Sequence, residues 1–240
     1  YDAAAAPAKR LTWTIAGAAT DQIVDCSGGT YDVITGKTRP KCGACVRCDY
    51  ERYKYIFRLT PMNSSCLGNQ LALGELRGIV IPKLKAIYGL DPLPTYIMAD
   101  NLIWADPIVN RLQLPLVQTP VLNITVKGVR RISPIATDFS SDFDAAEDAG
   151  AKLVIHVFAA LAGANFIKQY GEEKRDFACV GINVESQLQE FYASVAGACE
   201  YETFLSATGT RTNLNPDAKP LNTEEFWDIY KDIYGHCPIY

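Results

Sequence analysis

The sequence predicts a mainly α fold with minor β, built as two helical halves joined by a proline-rich connector. Three observations carry that expectation. Apolar residues recur at helical spacing on both sides of the chain's middle. Prolines crowd between them, at positions 92, 94, 107, 115, 120 and 134, and proline interrupts regular structure. Ser, Asp and Asn precede the periodic runs and glycine follows them, as at helix starts and stops. The halves run 1–88 and 135–240, with the connector over 89–134.

Residues 1–40 read as extended or irregular, with "YDVITGKTRP" as a strand, a glycine turn and a return. From Cys45 to Leu59, Val46, Tyr50, Tyr53 and Phe57 share one helical face, ended by Pro61. "NSSCLGNQLALGELRGIVIPKLKAIYG" is a helix capped by Ser64 or Ser65, divided at Pro82 and stopped by Gly89. Within the connector, "VLNITVKGVRRI" reads as a strand or hairpin, so the minor β element falls near 30–40 and 116–132. Three helices fill the second half: "SSDFDAAEDAGAKLVIHVFAALAGANFIKQYG", "NVESQLQEFYASVAGACEYETFLSA" and "NTEEFWDIYKDIYG". The last has Asn222 or Thr223 as cap and Gly235 as stop.

Composition narrows function by exclusion. The 240 residues are 48% hydrophobic and 21% charged, which is globular rather than disordered. A net charge of −4 with scattered basic residues leaves no footprint for nucleic acid. The most apolar run, "AKLVIHVFAALAGANFI", is broken by His156, Gly163 and Asn165 and reads as a buried helix, not a membrane span. "YDAAAAPAKR" has no charged-then-apolar signal pattern. "TGKT" at 35–38 is no phosphate loop, because Tyr31 stands where the loop needs glycine. The chain has two histidines, His156 and His236, and no nucleophile motif, so a non-enzymatic binding or scaffold protein is expected. His156 reads as a core residue.

The chemistry therefore rests on eight cysteines, Cys26, Cys42, Cys45, Cys48, Cys66, Cys179, Cys199 and Cys237. One reading is a secreted, disulfide-bonded protein, N-glycosylated at the sequons of Asn63 and Asn123. A second is a zinc-stabilised domain, in which Cys26, Cys66 or His236 completes the C-x-x-C-x-x-C run. A third is a thioether-linked bilin. That group needs a thiol on a helix, cations for its propionates, a carboxylate for its pyrrole nitrogens and aromatic rings to shield it. "CVRCDYERYKYIFR" carries all four kinds: Cys45 and Cys48; Arg47, Arg52 and Arg58; Asp49; and Tyr50, Tyr53, Tyr55 and Phe57. In the second half Arg175 and Asp176 precede Cys179, and Cys199 stands beside Tyr201 and Phe204.

The "CVRCDYERY" segment resembles the C-x-R-D bilin-holding segment of phycobiliprotein subunits, with Cys48 inserted between Arg47 and Asp49. The rest of the chain departs from their globin-like subunits. The resemblance therefore implies a bilin-bearing phycobilisome linker, similar in kind to the γ subunits of red-algal phycoerythrin. It implies thioether cysteines among Cys45, Cys48, Cys66, Cys179 and Cys199, with Arg47, Asp49, Arg52, Arg175 and Asp176 holding the chromophore. Phycobiliprotein α and β subunits would be the partners, met by Trp13, Trp104 and Trp227, at the stromal surface of the chloroplast thylakoid. The secreted reading implies an extracellular location instead.

Overall fold

The computed structural model describes residues 12–14, 31–32, 37–38, 56–58, 64–159, 161–188, 190–205, 216–217 and 220–236. It divides into two compact units, residues 1–94 with 101–126, and residues 95–100 with 127–240.

The second unit overturns the mainly α expectation. Its centre is a five-stranded sheet in the order β6-β5-β7-β8-β9. The strands are β5 Leu93–Asp100, β6 Ile124–Ile132, β7 Leu153–Phe158, β8 Ala178–Asn183 and β9 Glu202–Phe204. β5 pairs parallel with β7, β7 with β8, and β8 with β9. Numbered from β5 in chain order, the strands lie 2-1-3-4-5, a doubly wound α/β order. Parallel strands need crossover connections, and helices supply them.

The long apolar run shows why the expectation failed. Residues 140–171 were one predicted helix; they are helix, strand and helix. α4 is Ser140–Asp148, and its first turn is held by Asp138, which accepts from the Ser140 amide at 3.0 Å and hydroxyl at 2.8 Å. Gly150 turns the chain in the left-handed region at φ 70°. "LVIHVF" follows as β7, six residues all buried. A strand covered on both faces loses its alternating pattern, so periodicity cannot separate it from a buried helix. Its β-branched Val154, Ile155 and Val157 decide for the strand. α5, Ala162–Glu173, ends at Lys174 with φ 51°, three residues beyond the expected Gly171.

The second predicted helix also dissolves. Asn183 closes β8, Glu185–Gln187 is a single tight turn, and α6 is only Phe191–Ser194. Positive φ at Ala196 and Gly197 breaks the path before a second tight turn, Ala198–Tyr201, leads into β9. The third helix forms as read: α7 spans Thr223–Tyr234, with a reciprocal Asn222–Glu225 capping box and Gly235 left-handed at its end. An aromatic cluster fills one face of the sheet, with Phe143 and Phe158 each 5.1 Å from Phe166 between ring centroids. Phe139, Tyr170 and Phe177 complete it.

In the first unit, α1 Ser64–Asn69 starts where a Ser cap was expected, and α2 Ile81–Tyr88 ends at left-handed Gly89. Pro82 sits in the first turn of α2, where the wide turns of Gln70–Val80 pass into α-helix without a break in the helical path. Between them Gln70–Val80 opens to wide π turns. α3, Asp106–Gln113, packs its Ile108 backbone against Gly68, where a Cβ would lie 3.2 Å from the Ile108 Cα. The 89–134 connector thus holds β5, α3 and β6. β1 Thr12–Thr14 pairs parallel with β4 Ile56–Arg58, so the end of the expected Cys45–Leu59 helix is a strand. β2 Tyr31–Asp32 and β3 Lys37–Thr38 form the short antiparallel pair expected there.

Candidate functional site

In a doubly wound sheet the crossovers leave a crevice at the carboxyl ends of the strands where the winding reverses. Here the reversal lies between β5 and β7. Asp100, the last residue of β5, is fully buried, and its Oδ2 accepts from the Ala159 amide just past β7 at 2.8 Å. A carboxylate thus ties the two strand ends together. Beyond Ala159 the chain enters α5, whose N-terminal turn carries no side-chain cap. Its first amide is met by backbone instead, the Ala162 N–H donating to the Pro134 carbonyl at 3.2 Å.

The next two strands add a polar cluster. Asn183, at the end of β8, is fully buried. Its Nδ2 donates to Glu202 Oε1 at 3.1 Å and to the Gly163 carbonyl at 3.4 Å. Its Oδ1 has no partner among the described residues. A Cβ at 163 would collide with that Oδ1, so glycine lets α5 approach. Ser186, in the turn after β8, donates to Glu202 Oε2 at 2.6 Å. His156 Nε2 lies 2.9 Å from Glu202 Oε1, with both side chains fully buried. The approach is an ion-pair distance without hydrogen-bond alignment, and Nδ1 is unpartnered among the described residues.

Glycine makes this arrangement possible. His156 is on β7 and Glu202 on β9, with β8 between them. Gly181 is the β8 residue paired with His156. A Cβ there would overlap the His156 carbonyl. With no side chain at 181, the β8 backbone packs close against that of His156 on β7.

The residues predicted from sequence lie elsewhere. Cys45, Arg47, Cys48, Asp49 and Arg52 fall outside the described residues. Cys66 is exposed on α1. Cys179 is buried inside β8, its thiol pushed well above the usual range by burial and by the charge of Glu202. Cys199 is half-buried in the turn before β9 and is pushed up by burial. Arg175 and Asp176 precede β8, at the amino end of the sheet. Arg175 pairs with Glu173 at 2.6 Å, Asp144 at 2.7 Å and Glu147 at 2.8 Å, and stands over the Phe143 ring. Burial opposes its charge, and the three carboxylates outweigh that and hold the guanidinium above its ordinary pKa. Asp176 pairs with Lys152. These groups already have partners and hold the ends of β7 and β8 in place. Trp104 has its indole nitrogen buried and Trp227 is half-buried. The side-chain nitrogen of Asn123 donates to Asp91.

Sequence reasoning missed Asp100, Asn183, Ser186 and Glu202; it read His156 as a core residue, and His156 is fully buried. The available signal was a lone histidine in a β-branched run, "LVIHVF", and a glycine in the next strand, "ACVGIN".

No family model and no curated protein matches the chain. Solved structures do. A leucine-binding protein from Thermotoga maritima superposes with TM-score 0.53 at 15% identity, over 78% of this chain and 47% of that one. The branched-chain amino acid transporter substrate-binding protein of Streptococcus pneumoniae, in complex with isoleucine, gives 0.52 at 15%, over 78% and 47%. The leucine-, isoleucine-, valine-, threonine- and alanine-binding protein of Brucella ovis gives 0.50 at 16%, over 78% and 42%. At this identity the likeness is one of fold. The chain spans less than half the length of each of these structures.

That fold overturns the phycobilisome-linker expectation and its phycobiliprotein partners. The cysteine segment that suggested them covers few residues, whereas the parallel α/β sheet is the fold shared with these solved structures. The two alternatives gain no support among the described residues, and Cys26, Cys42, Cys45, Cys48 and Cys237 lie outside them. Among the described residues no disulfide joins Cys66, Cys179 and Cys199, and no three His, Cys, Asp or Glu side chains converge on a metal position.

Proposed function

We propose that this chain is a non-enzymatic binding protein for a small polar solute of the amino acid class, held at the carboxyl edge of the sheet in the second unit. The observation that carries the reading is a run of buried polar side chains along the carboxyl edge of the sheet, Asp100 at the point where the winding reverses and Asn183 and Ser186 at the next strand end. The Asn183 Oδ1 at that edge is an acceptor suited to an ammonium group, one of the two charges of an amino acid. Proteins of similar fold are described as binding leucine, or leucine, isoleucine, valine, threonine and alanine, and one is in complex with isoleucine. By the same likeness the partner is the membrane component of an ABC transporter, and the site of action is outside the cytoplasm.

Thermal unfolding against a panel of these five amino acids tests the proposal. A ligand at 100 times its Kd stabilises by about 2.7 kcal/mol, a rise in Tm of about 5–10 °C for a chain of this size. A rise with one or more of the five supports the reading, with calorimetry giving the affinity. No shift with any of them, at concentrations up to about 10 mM, overturns the amino acid class.

A further inference from the structure

We infer that Glu202 is a positioning residue for the carboxyl edge of the sheet: it fixes the side-chain amide of Asn183 so that the nitrogen is used within the protein and the oxygen is left to take a donor from the solute. What the oxygen meets rests on the solute-binding reading. How the amide is held rests on the geometry of the side chains.

The neighbours of the amide decide which end is which. One end lies 3.1 Å from Glu202 Oε1 and 3.4 Å from the Gly163 carbonyl oxygen. Both neighbours are acceptors, so the nitrogen belongs there. The reversed amide would set its oxygen against two others and lose both bonds. At the opposite end Oδ1 is buried and has no partner among the described residues. Gly163 keeps the space beside Oδ1 free of a side chain, since a Cβ there would collide with it. A buried acceptor is matched by a donor, and the ammonium of an amino acid is a strong one. An α-keto acid of the same shape brings an oxygen to the same place.

Of the two bonds that orient the amide, the one to Glu202 is shorter and ends on a carboxylate, which makes it the stronger. Glu202 is itself held in place. Ser186 donates to its Oε2 at 2.6 Å. Its backbone lies in β9, which pairs with β8 from Cys179–Glu202 to Gly181–Phe204, and the Leu205 amide donates to the Gly181 carbonyl at 2.7 Å. Its side chain is fully buried, with His156 Nε2 2.9 Å from Oε1. Oε1 remains an acceptor for Asn183 in either charge state of that ring. Without Glu202 only the longer bond to Gly163 would orient the amide, and the oxygen would no longer be the end presented.

Two measurements on the full chain test this. In the ligand-free protein, NMR reads the exchange of the Asn183 side-chain amide protons. They are expected to exchange about tenfold faster or more in Glu202→Ala than in the wild type. In Glu202→Gln, whose side-chain oxygen replaces the acceptor, they should exchange at the wild-type rate. Backbone protection at Thr203 and Leu205 shows that β9 stays paired in each variant. Calorimetry with L-leucine and with its α-keto acid, α-ketoisocaproate, reads the consequence. The wild type is expected to favour leucine by about 100-fold or more, since the keto acid leaves Oδ1 unmatched. Glu202→Gln should keep that ratio, and Glu202→Ala should cut it by about tenfold. A Glu202 that served only to hold the fold would weaken both ligands alike and leave the ratio unchanged. If Glu202→Ala fails to fold, Glu202→Asp, which draws the carboxylate back by one methylene, replaces it in both measurements. Asn183 amide exchange equal to that of the wild type, or an unchanged ratio, overturns the positioning role. Binding of neither compound to the wild type counts against the solute reading instead, and the amide exchange then decides the positioning role alone.

Discussion

The two ends of the sheet in the second unit treat charge in opposite ways. At the amino end, Arg175 collects Asp144, Glu147 and Glu173, and Lys152 pairs with Asp176. Asp144 and Asp176 there are largely exposed. Toward the carboxyl end, Asp100, His156, Asn183 and the Glu202 side chain are all out of water, and two polar atoms among them lack partners. The first arrangement is satisfied and wet. The second is buried and incompletely satisfied, which is costly unless something uses it. The ion pairs at the amino end account for themselves as structure, whereas among the described residues His156 Nδ1 and Asn183 Oδ1 have no such account.

The largest test of that contrast is at glycine. Gly181→Ala drives a Cβ into the His156 carbonyl, with an expected loss of about 4 kcal/mol or more in urea unfolding. Gly150, at the amino end, has open space around it at φ 70°, and Gly150→Ala should cost only about 1–2 kcal/mol. Equal losses at both would erase the difference between the ends. Next come the charges. His156→Phe sets an apolar ring against the buried Glu202 side chain and should cost about 3 kcal/mol, with little response to salt. Arg175→Ala should cost about 1–2 kcal/mol, shrinking in about 0.5 M salt because its partners are solvated. An Arg175 effect that ignores salt would contradict its placement among the wet pairs.

Glu75 in the first unit sharpens the point, since it is a carboxylate with a buried oxygen and no cation. Its Oε2 has no partner among the described residues, and desolvation pushes its pKa up to about 7. The raised value means that the folded state holds the proton more tightly than the unfolded one. Its contribution is intact below the unfolded value of 4.5 and is lost as pH rises through about 7. A shift of this size is worth about 3 kcal/mol unscreened, and solvent around a partly exposed side chain reduces that to about 1–2 kcal/mol. Glu75→Gln is therefore expected to stabilise at pH 8 and to be neutral at pH 4.5. A pH-independent difference would show that its carboxyl is solvated. The smallest effect belongs to Lys152→Ala, at about 0.5 kcal/mol or less for an exposed pair.

Much of the local punctuation was legible in the sequence. The Asn222 capping box, the stops at Gly89 and Gly235, the start at Ser64 and strand β6 all follow from residue chemistry that acts within a few positions. The sheet was not legible, because β7 is buried on both faces and carries no period-2 signal. The cluster was not legible either, because His156, Asn183, Ser186 and Glu202 come from three strands and a turn. They meet through parallel pairing, which no local spacing encodes. The conspicuous run "EEKRDFAC" drew attention to Arg175 and Asp176, and that density of charge is what ion pairs at a strand's amino end require.

One measurement tests the central claim most directly: hydrogen–deuterium exchange of the chain with and without whichever of the five amino acids raises its Tm. The account predicts new protection just past the strand ends, around Asp100, Ala159 to Gly163 and Asn183 to Ser186, with Gly150 to Lys152 and Arg175 to Phe177 unchanged. Protection confined to the amino end, or none at either end, would contradict it.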